Sequence, residues 1–252
     1  MAFHRRPSFI QANNYGLDRI DIRGVLSLKG LQVAIDGPAS AGKSTVAKLV
    51  AKRFGYVYCD TGAMYRSVTL AALQKGIDVN NQAAVTKLAQ SIQIAFQPGE
   101  PEQRVFIDDQ EVTEAIRSNE VNANVSVVAA VPAVREEMVA QQRQIAEAGG
   151  IVMDGRDIGT TVLPNAEVKI FLVASAYERA RRRFEENQQK GIETTTLAEL
   201  QAAIERRDKL DSEREVSPLT QADDAIRLDS THLSIEEVVD EISSIIKKVE
   251  GN

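Results

Sequence analysis

The chain has 252 residues, 43% hydrophobic and 26% charged, which is enough apolar material for one substantial domain and too even a mixture for a repeat array or a disordered tail. Its formal net charge of −6 argues against a protein that tracks a nucleic-acid backbone, so no nucleic-acid partner is expected and any basic site must be local. One cysteine, Cys59, excludes an internal disulfide and a thiolate zinc cage and suits a reducing cytoplasm, while two histidines, His4 and His232, leave almost no material for imidazole acid–base chemistry.

Residues 1–28 mix both charge signs with Asn, Gly and Pro and lack the apolar stretch of a secretory signal; Asp18 and Asp21 also fit poorly with a transit peptide. They are expected to lie outside the fold. No window approaches the roughly 20 apolar residues of a membrane span, so no membrane partner is expected. The apolar run LQVAID then predicts a strand, and KSTVAKLVAKRF predicts a helix with Val46, Ala47, Val50, Ala51 and Phe54 on one face, closed by Gly55. Between them, residues 37–44 read GPASAGKS, a complete G-x-x-x-x-G-K-[ST] phosphate loop. A strand feeding such a turn into a helix gathers backbone N–H groups at a spot where the helix dipole favours negative charge. Lys43 can reach the β- and γ-phosphates, and the Ser44 hydroxyl can ligate the Mg²⁺ that accompanies them.

YVYCDTG predicts a second strand ending at Asp60 and Thr61, with Cys59 as a small apolar strand residue, followed by a helix over about 63–74. IQIAF and RVFID, joined by the turn QPGEPEQ, predict a β-hairpin and give this region the look of an inserted subdomain. Helical periodicity returns near 118–148 with a break at Pro132; IVMD and VKIFLVA then predict two buried strands. Residues 176–211 are helical and rich in arginine, divided into two helices by Gly191 and Thr194–Thr196. AIRLDS predicts a last strand. Ser234 and Glu237 predict a capping box opening a helix whose apolar stripe is Ile235, Val238, Val239, Ile242, Ile245, Ile246 and Val249. Apolar strands alternating with helices imply an α/β fold, a three-layer parallel sheet with the phosphate loop at its carboxyl edge.

CDTGAMYR, DGRDIGT and the Arg-rich helices all fall where strands should end, hence in one cleft. Arg66 and Arg156 would bring two guanidinium forks suited to a phosphate. Arg207, Asp211 and Arg214, at i, i+4 and i+7, share a face if the helix continues that far. A solvated ion-pair surface is the competing reading of that string.

The combination of IDGPASAGKST, DTGAMYR, EVNANVSVVAAVPAVRE, DGRDIGTTVLPNAEVKIFLVAS, RRDKLDSEREVSPL and LDST resembles the bacterial cytidylate kinases, a branch of the nucleoside monophosphate kinases, over residues 31–248 in order. The resemblance implies a kinase domain over 29–250, with a core (29–61 and 149–250), a monophosphate-binding insert (about 62–148) and a lid (about 178–217). It implies transfer of the γ-phosphoryl group of ATP to CMP or dCMP, with Mg²⁺. Gly37, Pro38, Ala39, Ser40, Ala41, Gly42, Lys43, Ser44 and Thr45 would hold the ATP phosphates. Thr61, Arg66, Arg156 and Arg214 would contact the CMP phosphate or the transferring group, Arg207 and Asp211 the sugar, and Ser126, Arg135 and Asp157 the cytosine ring. Lys43, Arg156, Arg207 and Arg214 would be the catalytic cations. Thr61 stands where the family pattern has serine, and the stretch from Gly191 to Arg206 differs from it by one residue in length. A monomer in the cytoplasm is expected. Two rivals remain: a small-molecule kinase of the shikimate or gluconate type, with Asp60 taking a hydroxyl proton, which the long 62–148 insert disfavours; and a nucleotide switch, for which no N-K-x-D motif is present.

Overall fold

The computed structural model describes residues 30–97, 99, 103–189, 191 and 195–251. The expected extension over 1–28, with His4, and parts of the QPGEPEQ and 190–194 connections lie outside the described residues.

A five-stranded, wholly parallel sheet carries the fold, in the order β2 (Val57–Asp60), β6 (Ile151–Gly155), β1 (Gln32–Asp36), β7 (Val168–Val173), β8 (Ile226–Asp229). β1 is buried because it has neighbours on both sides, and its alternate residues serve opposite faces. Val33 and Ile35 pack with Val152, Ile170 and Leu172 against α1 (Lys43–Phe54) and α8 (Ile235–Glu250). Ala34 joins Cys59, Ile151 and Met153 on the other face, under Val139 and Ala146 of α5 (Pro132–Ala146). Burial, and secondarily Asp60, pushes the Cys59 thiol up, consistent with an inert core residue.

Gly55 ends α1 in the left-handed conformation with its N–H bonded to the Ala51 carbonyl, a stop that glycine adopts at little steric cost. Ser234 and Glu237 form the expected capping box. The stripe behind it is narrower than predicted: Val238, Val239, Ile242 and Ile246 are buried, but Ile235, the first residue of α8, is 53% exposed.

A third core lies beside the sheet, built from α2 (Thr61–Gln74), α3 (Gln82–Ala89), α4 (Asn119–Ala129), α5 and a small antiparallel sheet of β3 (Ile94–Gln97), β4 (Arg104–Ile107) and β5 (Gln110–Glu111). The hairpin pairs as predicted, and Pro132 stands at the first turn of α5, where its missing N–H costs nothing. α3 and β5 carried no recognised sequence signal. Arginine-rich α6 (Ala176–Gln189) and α7 (Leu197–Glu213) follow β7.

One expectation needs correction near the sheet's carboxyl edge. Arg214 lies just past α7 with extended backbone, so it shares no helix face with Arg207 and Asp211. DGRDIGT begins at the end of β6, as expected, and its residues from Ile158 run into a single π-helical turn, Ile158–Val162.

Candidate active site

The ends of β1, β2 and β6 lie side by side, so Gly37, Thr61 and Arg156 start from one edge. Gly37 has φ 149°, and a Cβ there would stand 2.0 Å from the Leu172 carbonyl oxygen, so only glycine lets the loop lie this close to β7. Gly42 (φ 87°) caps α1 and has no side-chain oxygen to offer the first-turn N–H groups, which leaves them for an anion. Ser40, exposed with φ 60°, is a non-glycine residue held in the left-handed region at the loop's tip. Lys43 is buried, and its ammonium donates to the Pro38 carbonyl at 2.6 Å. Burial and then Arg156 push its pKa well below the ordinary lysine value, opposed by Asp154 and Asp36.

The Ser44 hydroxyl donates to Asp154 Oδ2 at 2.8 Å, and Tyr58 donates to Oδ1 of the same carboxylate at 2.8 Å. Burial raises the Asp154 pKa, and neighbouring Asp60 raises it further. One hydroxyl and one carboxylate at the phosphate loop, with more negative charge than their surroundings neutralise, are the hard oxygen donors that magnesium takes along with phosphate and water. These residues therefore fit a magnesium ion. Thr61 donates to the Asp154 carbonyl at 2.6 Å, and Asp60 caps α2 through the Ala63 N–H while pairing with Arg66 at 2.8 Å. Although burial works against it, Arg66 and that N–H hold the Asp60 carboxyl below its usual range.

Arg156 pairs with Asp211 at 2.9 Å and also donates to the Gly155 carbonyl. Burial opposes ionisation of Asp211, yet Arg156 and Arg207 keep its pKa low. Arg207 is half-buried, and its Nε has no hydrogen-bond partner among the described residues. Burial and Arg156 bring its pKa down to about 10, opposed by Asp211. Lys43, Arg156 and Arg207 thus converge on one space with less countercharge than they need, which is what a polyphosphate supplies. By contrast, Arg181 and Arg183 form solvated ion pairs within α6.

Asp157 is 4% exposed and bonded on both sides, to Arg135 Nη2 through one oxygen and to Arg214 Nη2 at 3.1 Å through the other. Burial and Arg135 lower the Arg214 pKa, opposed by Asp157. Arg135 lies over the Tyr65 ring at 5.4 Å. Ser126, on α4, lines a mainly apolar cleft of about 290 Å³ with Val79, Val127, Val131 and Leu210.

The family model "Cytidylate kinase" matches residues 33–248. The chain belongs to the cytidylate kinase family. Among curated relatives, a cytidylate kinase of Limosilactobacillus reuteri (strain DSM 20016) is 73% identical over 222 residues, spanning 88% of this chain and 97% of the relative. One from Lactiplantibacillus plantarum is 62% identical over 227 residues, 90% and 99% of the two chains. One from Bacillus cereus is 58% identical over 221 residues, 88% and 98%.

Within this cytidylate kinase family member, four residues at the site escaped the reading of the sequence. Asp154 was passed over although it ends a strand beside the phosphate loop. Asp36, at the end of β1, accepts the Ile158 and Gly159 N–H groups at 2.8 and 2.7 Å and so holds the turn that presents Asp157. Burial brings its pKa up to about 6, partly offset by those two N–H groups. Tyr58 carries no motif, and Asp208, although inside RRDKLDSEREVSPL, was given no role; the fold brings both to the site.

Proposed function

We propose that this chain transfers the γ-phosphoryl group of ATP to CMP or dCMP, giving ADP and the pyrimidine diphosphate. The observation that carries this reading is the convergence of Lys43, Arg156 and Arg207 at the phosphate loop, facing a second set of charged groups led by Asp157. The acceptor is a phosphate monoester whose second pKa is about 6, so it is mostly dianionic at neutral pH and needs no general base. A CMP phosphate oxygen attacks the γ-phosphorus in line, and the bond to the bridging oxygen of ADP breaks. Two polyanions must be brought together, and the converging cations make that possible.

In this reading residues 37–45 hold the ATP phosphates through Lys43 and the loop N–H groups, apart from Pro38, which has none, and Ala39, whose N–H goes to Asp208, while Thr61, Arg66, Arg156 and Arg214 orient the acceptor phosphate. Arg207 and Asp211 serve the sugar and the transferring group. Ser126, Arg135 and Asp157 read the base. Ser44 and Asp154 would hold magnesium, which when bound supplies charge neutralisation across the β- and γ-phosphates. The fit of a carboxylate to cytosine favours CMP over UMP: the ring's N4 amino group donates where uracil O4 accepts. We infer a monomer in the cytoplasm, a compartment whose reducing conditions suit a chain with one cysteine. An ADP-release assay with CMP, UMP, AMP, shikimate or no acceptor tests the proposal. ADP release that depends on CMP is expected; equal release with and without CMP would overturn it.

A further inference from the structure

Three cations converge on the phosphate loop, and their mutual repulsion should push α7, which carries Arg207, away from Lys43. Something must hold the helix there before any anion arrives. The Arg156–Asp211 pair does part of this, and Asp208, the residue beside Arg207 on α7, does the rest at the loop itself. Asp208 accepts the Ala39 N–H of the phosphate loop through Oδ1 at 3.3 Å, and its Oδ2 pairs with Arg179 Nη1 at 2.7 Å. The same Arg179 nitrogen donates to the Ala39 carbonyl at 3.0 Å, closing a ring in which both polar groups of one loop residue are engaged. Arg179 is anchored in turn, its Nε donating to the Ala174 carbonyl beyond β7 at 2.9 Å. Arg179 and Ala39 are buried, and the Asp208 side chain is 22% exposed, so water screens this pair much less than it screens the ion pairs along α6.

We propose that Asp208, clasped by Arg179 around the Ala39 peptide, is a positioning residue that docks α7 on the phosphate loop and so sets Arg207 and Asp211 over the reacting groups. The clasp uses the N–H of Ala39 and leaves those at the start of α1 for phosphate. It also makes the geometry of the arginine-bearing helix depend on the loop that holds the donor nucleotide. Its consequences for catalysis rest on the kinase reading above, whereas its structural content does not.

The test is amide hydrogen exchange over residues 197–213 of the full chain, together with kinetics. It compares wild type, Asp208→Asn, Arg179→Lys and the double variant. Asp208→Asn keeps an acceptor for the Ala39 N–H and removes the ion pair. We expect exchange in that segment to rise about tenfold, with kcat/KM for CMP falling about tenfold or more. The dissociation constant for ATP without CMP should stay within about threefold, since the loop's later N–H groups are untouched. Arg179→Lys keeps the charge and loses the fork, and the double variant should be little worse than either single one. Unchanged exchange in Asp208→Asn, additive losses in the double variant, or an equal loss of ATP binding would each overturn the clasp. If wild type shows no CMP-dependent turnover, the kinase reading fails, and the exchange result still decides the clasp.

Discussion

The phosphate loop and the charged groups facing it are built from opposite materials. Residues 37–45 form one continuous segment whose shape depends on backbone, with Gly37 pressed against Leu172 and Gly42 opening α1 without a side-chain cap. The facing side is assembled from paired side chains: the local pair of Asp60 with Arg66, and pairs between segments far apart in the chain, Arg156 with Asp211 and Arg135 with Asp157 and Arg214. A backbone site binds any polyphosphate of the right shape, because N–H groups carry no information about a base. A side-chain site can discriminate, but each member must be held by another. On the proposed reading, the contrast predicts donor chemistry that is general and acceptor chemistry that is selective.

The contrast breaks most visibly at the one side chain the loop requires. Lys43→Ala should lower kcat by on the order of 10² or more, as loss of a transition-state donor usually does. Steady-state kinetics with CMP check this, and near-normal turnover would remove Lys43 from the mechanism.

A smaller effect is expected at Asp36, where backbone and side-chain sites meet. Its carboxyl pKa is raised from 3.8 to about 6, chiefly by burial. Between those values the folded chain keeps a proton that the unfolded chain has released, so this group's contribution to stability falls as pH rises from about 4 to 6. The whole effect is about 3 kcal/mol. Denaturant unfolding across that range should show the wild type losing stability relative to Asp36→Asn as pH rises. A constant difference would mean that Asp36 keeps an ordinary pKa.

The smallest effect separates the two kinds of arginine. Arg181, exposed and paired with Glu178 and Glu185, belongs to a solvated surface. Arg181→Ala should leave kcat/KM within about twofold of wild type. A tenfold loss would extend the site onto α6.

How much of this could be read from the chain follows the same division. GPASAGKS, the strand before it, the helix after it and the capping box of α8 are local, and local spacing is what a sequence displays. The hairpin was legible because its strands alternate and its turn is marked by Pro and Gly. α3 was missed because it is only eight residues long, although Asn81 caps it through the Ala84 N–H and Val85, Leu88 and Ala89 form its buried face. The i, i+4, i+7 argument failed at Arg214 because α7 ends one residue earlier, and the arginine meets Asp157 from an extended segment. The ion pairs of the acceptor side have no spacing rule. Arg156 and Asp157 are neighbours in the chain, yet the fold gives Arg156 to Asp211, and Asp157 to Arg135 and Arg214.

That exchange of partners makes Asp157 the point where selectivity is most directly measurable. With Arg135 and Arg214 fixing its two oxygens, the carboxylate should accept from cytosine N4 and repel uracil O4. The decisive measurement is kcat/KM for CMP and for UMP in wild type and in Asp157→Ala. The account predicts a much greater loss for CMP than for UMP, narrowing the ratio between them; equal losses, with the ratio unchanged, would contradict it.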